Sequence, residues 1–443
     1  MTNIEQVVPH WYMYPPKSAY LPSGPTNYGD LWDQVPTEMC FYVHIPFCNM
    51  KCSFCSLFTS SGYSEDSAER YVEHLLKEIS SSLRLLQNEE VTVPSLYFGG
   101  GTPGLLDRQS VDSICSAISA DPRITIQSRS VEFSPDIVDA ERMDIWLNNS
   151  FDRISIGVQT FSDTRLSVMG RKHSLQEALS AIEQAARSGF SDINVDLIFG
   201  HEDQTIIDWA HDLLSVTGSD ATSCTFHPLA TVEKTPFERK PSNQAADFGL
   251  LRELQGQAYE HFSRHGWERT SAISYSKIGR TNPLEAAEAR GASTFGFGAG
   301  SRSYLPSIHI STVPVEARAP FGGVLKSYYD CVEAGQKPTL AAVEPNPEEE
   351  LRRSLILQLH HGNVTIPQDK AEVDSSTLKT VKIFFEELEQ RGLVRKHSDT
   401  YVVTDKGALS AARIGSDLAS LDVRGSLQER MLGSVESSLE AHR

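Results

Sequence analysis

The chain has 443 residues, 40% hydrophobic and 22% charged. That balance suits a globular protein with one large domain plus additions, not a disordered or fibrous chain. A formal net charge of −18 argues against a nucleic-acid backbone as partner, since phosphate binding needs clustered Lys and Arg; the acidity reads as solubility. Seven cysteines without a paired framework point to a reducing, cytoplasmic setting, and neither a secretory leader nor an apolar run of membrane length is visible.

Residues 1–38 are rich in Pro and aromatics, with His10 to Pro16, Tyr20, Tyr28 and Trp32. They show no helical or strand period and read as an extended arm on the next domain. From Met39 the chain alternates. Strand-like runs at Cys40–Ile45, Ser95–Phe98, Ser130–Phe133, Arg153–Val158, Asp192–Ile198 and Ser223–Pro228 are separated by helix-like stretches such as 67–85, 107–120, 174–188 and 205–217. This alternation predicts an α/β fold, a parallel sheet with crossover helices forming a partial (β/α)6 barrel over 39–303. In such barrels ligands sit at the C-terminal ends of the strands. A Pro-rich connection is expected over 304–347. A helix–helix–hairpin pattern over 348–420 reads as a winged-helix-like accessory domain with little basic excess, covering the barrel mouth or facing a partner. A polar tail fills 421–443, and the protein is expected to be a monomer.

Three cysteines lie within eight residues, Cys48, Cys52 and Cys55, spaced C-x3-C-x2-C. A four-iron cluster takes one thiolate per iron, so three thiolates leave one iron open to a small molecule. The same thiolates with His44 would also make a structural zinc set, and three close cysteines cannot all pair as disulfides. Further on, Tyr97-Phe-Gly-Gly-Gly-Thr-Pro103 ends an apolar run in three glycines, whose backbone N–H groups can approach a ligand with no Cβ in the way.

Together these motifs resemble the radical S-adenosylmethionine (SAM) superfamily. The runs Tyr42-Val-His-Ile-Pro-Phe-Cys48, Arg153-Ile-Ser-Ile-Gly-Val-Gln-Thr-Phe161, Gly170-Arg-Lys-His173 and Asn194-Val-Asp-Leu-Ile-Phe-Gly200 are similar to its oxygen-independent coproporphyrinogen oxidase-like branch. The likeness runs in order from about residue 40 to 300 and more weakly to about 415. It implies a radical SAM barrel, a [4Fe-4S] cluster on Cys48, Cys52 and Cys55, and SAM on the open iron. It also implies a flavodoxin- or ferredoxin-type electron donor. The matching positions assign Tyr42, Gly99, Gly100, Gly101, Thr102 and Glu132 to SAM, and Phe54 to shielding the cluster. Gly100, Gly101, Thr102, Gln159, Arg171 and Asp196 would hold a second SAM. Outside the family's pattern, an ion pair between Arg171 and Asp196 would tie the barrel together.

The chain also departs from that branch. Leu57 stands where coproporphyrinogen oxidases carry a further cysteine, and Gly200-His-Glu replaces a Gly-Leu-Pro. His227 stands where relatives have a tyrosine, and is the candidate general base or substrate contact. The His-Asn-x-x-Tyr-Trp motif of the heme chaperones is absent, with Arg280-Thr-Asn-Pro-Leu-Glu285 in its place. These features lead to the expectation of a class C methyltransferase or cyclopropanase. It would use two SAM molecules to move a methyl or methylene group onto an sp2 carbon of a conjugated small molecule, in natural-product biosynthesis. Two alternatives stand beside it: anaerobic porphyrin chemistry, meaning coproporphyrinogen decarboxylation or radical heme opening, and a non-catalytic heme chaperone.

Overall fold

The computed structural model describes residues 13–32, 36–86, 90–229, 246–315, 320–368 and 372–425. The first twelve residues of the expected arm and residues 426–443 of the expected tail lie outside them. Seven parallel strands form the centre: β1 Met39–Ile45, β2 Leu96–Gly100, β3 Arg129–Phe133, β4 Arg153–Gln159, β5 Asp192–Phe199, β6 Ser223–Pro228 and β7 Ser293–Phe297. Their order is β7-β1-β2-β3-β4-β5-β6, and antiparallel strands extend the sheet at both ends. β7 goes beyond the six expected strands. It pairs in parallel with β1, Phe295 opposite Phe41 and Phe297 opposite Val43.

Each strand alternates, and the alternation positions the site. Phe41, Val43, Phe98, Val131, Ile154, Ile156, Val195, Leu197 and Phe226 are fully buried on the side covered by helices. The opposite face carries Tyr42, Tyr97, Glu132, Ser155, Asn194, Asp196, Thr225 and His227. The crossover helices are sharply started. Ser64, Ser174 and Thr205 close reciprocal capping boxes with Ser67, Glu177 and Asp208, each satisfying two otherwise orphaned backbone donors. Helix Leu175–Ser188 ends on Gly189 in the left-handed region.

The stretch 304–347, expected as a connection, is instead built into the sheet. His309–Ser311 pairs with Arg302–Tyr304 and with Ala341–Val343, and Phe321–Glu333 is a helix. Its strands are only three residues long, too short for a period to show. The arm joins the same edge, since Leu21–Pro22 pairs with Ala341–Val343. Trp32 stacks on Phe295 with ring centroids 4.7 Å apart. In the C-terminal part, helices Pro347–His360 and Ser375–Gln390 accompany a three-stranded sheet of Asn363–Thr365, Thr400–Val403 and Val394–His397. No helix among the described residues is long and apolar enough to cross a membrane.

The floor of the barrel is tied by a buried ion pair. Arg153 Nε donates to Asp192 Oδ2 at 3.0 Å, with both side chains nearly inaccessible. Asp192 Oδ1 accepts from Thr222 Oγ1 at 3.0 Å and Ser223 Oγ at 2.6 Å, joining β4, β5 and β6. Removing one member of such a pair strands the other charge, so Asp192→Ala should lower stability by about 3–5 kcal/mol. Urea unfolding of the purified variant checks this.

Candidate functional site

The site is built at the C-terminal ends of β1 to β6. Cys48, Cys52 and Cys55 lie on the loop after β1. That loop is pinned at its base by Cys48 N–H donating to Ser60 O at 2.8 Å and Ser60 N–H donating to Pro46 O at 2.7 Å. Across the mouth, Ser53 N–H donates to Met169 O at 3.0 Å, tying the loop to the turn at Gly170. Burial pushes the Cys48 thiol up to about 11, and burial also raises Cys55.

His44 does not serve as a fourth ligand. Its Nε2 lies 3.0 Å from the Phe58 carbonyl and its Nδ1 3.3 Å from Tyr42 Oη. Burial lowers its pKa to about 4, so the ring is neutral. A carbonyl can only accept, so Nε2 carries the proton and Nδ1 accepts from the tyrosine. Both ring nitrogens are thus spent away from the thiols, and no group of three His, Cys, Asp or Glu among the described residues gathers closely enough for a single metal ion. The zinc alternative therefore lacks its fourth ligand.

The glycines form a cradle. A Cβ on Gly99 would stand 2.9 Å from Glu132 Oε1 and 3.0 Å from Tyr42 Oη. Gly100, at φ +109°, presses on the His44 ring, and a Cβ there would come within 2.5 Å of it. Gly101 N–H donates to Ile45 O at 2.7 Å and Thr102 N–H to Phe47 O at 2.8 Å, so the cradle is bolted to the start of the cysteine loop. Glu132 accepts from Tyr97 Oη at 2.9 Å and from Gly100 N–H at 3.0 Å. Burial, helped by the nearby Asp196 charge, pushes its carboxyl up to about 7. Tyr97 in turn stacks on Tyr42.

On the far side, Asp196 accepts from Ser155 Oγ and Asn194 Nδ2, both at 2.7 Å, and His227 Nε2 lies 3.9 Å from its Oδ1. Arg171 does not pair with Asp196. Its Nη1 lies 3.2 Å from Cys52 Sγ, and its Nη2 donates to Ser134 Oγ at 3.1 Å and to Gly157 O. Gln159 ends β4 at φ +71°, a strained conformation for a residue with a Cβ. Phe54 is half-buried on the cysteine loop. Tyr97, Ser155 and Asn194 were not singled out from sequence. The polar period of two in strands that usually read as continuous apolar runs would have found them.

Residues 42–215 match the radical SAM superfamily model. Over that stretch the chain is similar to the superfamily, whose cofactors are a [4Fe-4S] cluster and SAM. The fold is HemN-like. The structure of coproporphyrinogen III oxidase (HemN) from Escherichia coli superposes with a TM-score of 0.69, covering 88% of this chain and 92% of that one at 19% identity. A heme chaperone, HemW of Bacillus subtilis, is 24% identical and aligns over 83% of this chain and 96% of its own length. An anaerobilin synthase of Escherichia coli O157:H7 is 26% identical, over 87% and 85%. These relatives correct the expected methyl or methylene transfer: the names that span the chain are those of heme and anaerobilin proteins, not of methyltransferases or cyclopropanases.

The three thiols, the Cβ-free cradle and the buried Glu132 together fit the superfamily's cofactors. Two tests follow. Gly99→Ala would fill the cradle beside Glu132 and should weaken SAM binding by at least about tenfold, the scale of one lost polar contact, with iron content unchanged. The Glu132 carboxyl is neutral below about 7 and charged above it. The ratio of wild-type to Glu132→Gln affinity for the cationic SAM should therefore rise between pH 6 and 8, by up to about tenfold per unit below the carboxyl pKa. Calorimetric titration of the reconstituted protein reads both.

Proposed function

We propose that the protein is a radical SAM enzyme acting on a tetrapyrrole, either heme or a porphyrin close to it. The observation that carries this is the complete cradle around Glu132, which would seat SAM beside the three thiols. The chain-length likeness to an anaerobilin synthase supports the tetrapyrrole. The replacement of the His-Asn-x-x-Tyr-Trp motif by Arg280-Thr-Asn-Pro-Leu-Glu285 weighs against pure heme carriage, and Leu57 in place of a cysteine weighs against coproporphyrinogen decarboxylation.

Cys48, Cys52 and Cys55 would hold the cluster, which with SAM bound would supply the electron for cleavage of the sulfonium into methionine and a 5′-deoxyadenosyl radical. Gly99, Gly100, Gly101 and Thr102 would seat the methionine portion through main-chain contact, and Glu132 would accept from its ammonium or from the ribose hydroxyls. Tyr42, held by neutral His44, would face the carboxylate. Arg171, already against Cys52 Sγ, would donate to the thiolate and stabilise its negative charge, one of the means by which proteins set cluster potential. His227, whose Nε2 lies 3.9 Å from Asp196 Oδ1, would take or give a proton on the substrate at the mouth.

A second reading, heme chaperoning, is favoured by the HemW relative, which aligns over nearly its whole length. One experiment separates the two. Anaerobic, reconstituted and reduced protein is given SAM with and without heme, and 5′-deoxyadenosine and the heme Soret band are followed. The enzyme reading expects heme-dependent 5′-deoxyadenosine with loss of the band. Tight heme binding with an unchanged band and no 5′-deoxyadenosine would establish the chaperone instead.

A further inference from the structure

Behind the site, away from the mouth, lies a fully buried ion pair that no step above uses. Lys337 Nζ lies 2.7 Å from Glu78 Oε1, and both side chains are 0% exposed. Burying two charges costs several kcal/mol per ion before their attraction is counted, and an apolar pair of the same volume is often as stable. Stability alone is therefore a poor account of the pair, and its remaining bonds show what it holds.

Glu78 Oε2 accepts from Gly298 N–H at 2.8 Å and Tyr328 Oη at 2.8 Å. Lys337 Nζ also donates to Gly296 O and lies over the Phe295 ring. The pair thus grips the end of β7 from both sides. Beyond it the chain turns through Gly298 at φ +90° and Gly300 at φ +108°. Gly300 N–H donates to Thr312 Oγ1 at 2.7 Å. Ala299 N–H donates to Tyr71 Oη at 2.9 Å, and that hydroxyl donates to His44 O at 2.7 Å. Tyr71 and Glu78 share one face of helix Glu65–Leu83, two turns apart.

The turn then meets the site directly. A Cβ on Gly300 would stand 2.3 Å from His44 Nε2, and one on Gly298 2.7 Å from His44 O. On its opposite side the same ring is pressed by Gly100. His44 is held between two glycines, one from the SAM cradle and one from the turn, while its nitrogens join Tyr42 Oη to the Phe58 carbonyl beyond the cysteines.

We propose that Glu78, Lys337 and Tyr71 are positioning residues. They set the 298–300 turn as a backstop that fixes His44, and through it the spacing between the SAM cradle and the cluster loop. The proposal rests on the radical SAM site and is independent of the tetrapyrrole reading.

The test uses the full chain reconstituted with iron and sulfide. Tyr71→Phe removes the hydroxyl between His44 and Ala299 and keeps the ring. The double variant Glu78→Leu/Lys337→Met replaces the pair with apolar volume and releases both backbone grips. Both should keep wild-type iron content, and Tyr71→Phe should lose only a few degrees of thermal stability. SAM affinity should fall by about tenfold or more, the scale of one lost hydrogen bond. The change that SAM produces in the EPR spectrum of the reduced cluster should shrink or vanish. Wild-type affinity and a wild-type EPR response in Tyr71→Phe would overturn the proposal, whatever its melting temperature. If the double variant fails to fold, Tyr71→Phe decides alone.

Discussion

The site depends on backbone packed against side chains with no Cβ between them. Gly99 lies against Glu132 and Tyr42, and Gly100 and Gly300 press on opposite faces of His44. At each of these positions a methyl group would need space that is already occupied. The close approach lets three loops from distant parts of the chain share one small volume: the cysteine loop after β1, the glycine turn after β2 and the turn after β7. Positive φ at Gly100 and Gly300 makes the same demand on the backbone. The lining of polar side chains works only because these loops are already fixed.

That lining is costly to build. Tyr97, Glu132, Ser155, Asn194, Asp196 and Thr225 fill a barrel interior that in other parallel barrels is packed with branched aliphatic side chains. Buried polar groups are tolerated where each finds a partner, and here the partners form chains. Thr225 Oγ1 donates to Asn194 Oδ1 at 3.0 Å, and Asn194 Nδ2 donates to Ser155 and Asp196. Asp196 is therefore held before any ligand arrives, which is what preorganised electrostatics requires. Glu132 differs: burial holds its carboxyl near neutrality, so its charge can answer to whatever enters.

Much of this was legible in the sequence. The cysteine spacing, the three glycines and the strand–helix alternation placed β1 to β6 and the ligand-bearing loops, because those signals are local. What escaped was non-local or too short to carry a period. β7 is five residues with a glycine inside it, and its place beside β1 is decided by a partner some 250 positions earlier in the chain. The three-residue strands of 304–347 carry no periodic signal at all. Arg171 reads as a clamp for a SAM carboxylate, with an ion pair to Asp196 as the alternative; spacing along the chain does not say which way a side chain turns, and it turns to Cys52. The chemistry misled for a related reason. Residues that line a mouth can serve more than one chemistry, whereas the pocket that selects the substrate is written in no motif.

The arm is tied to the C-terminal helices. Tyr14 Oη donates to Glu349, and Ser420 N–H donates to that same hydroxyl at 3.1 Å, contacts spanning 335 and 406 positions along the chain. Such contacts rank among the slowest to form, because the loop they close must lose its freedom first. On the ribosome, the strand Leu21–Pro22 must wait for Ala341–Val343, and Tyr14 for residue 420. The central barrel can assemble during synthesis, but the arm can lock onto Glu349 and Ser420 only once residue 420 has emerged, so the arm closes over a barrel that is already formed.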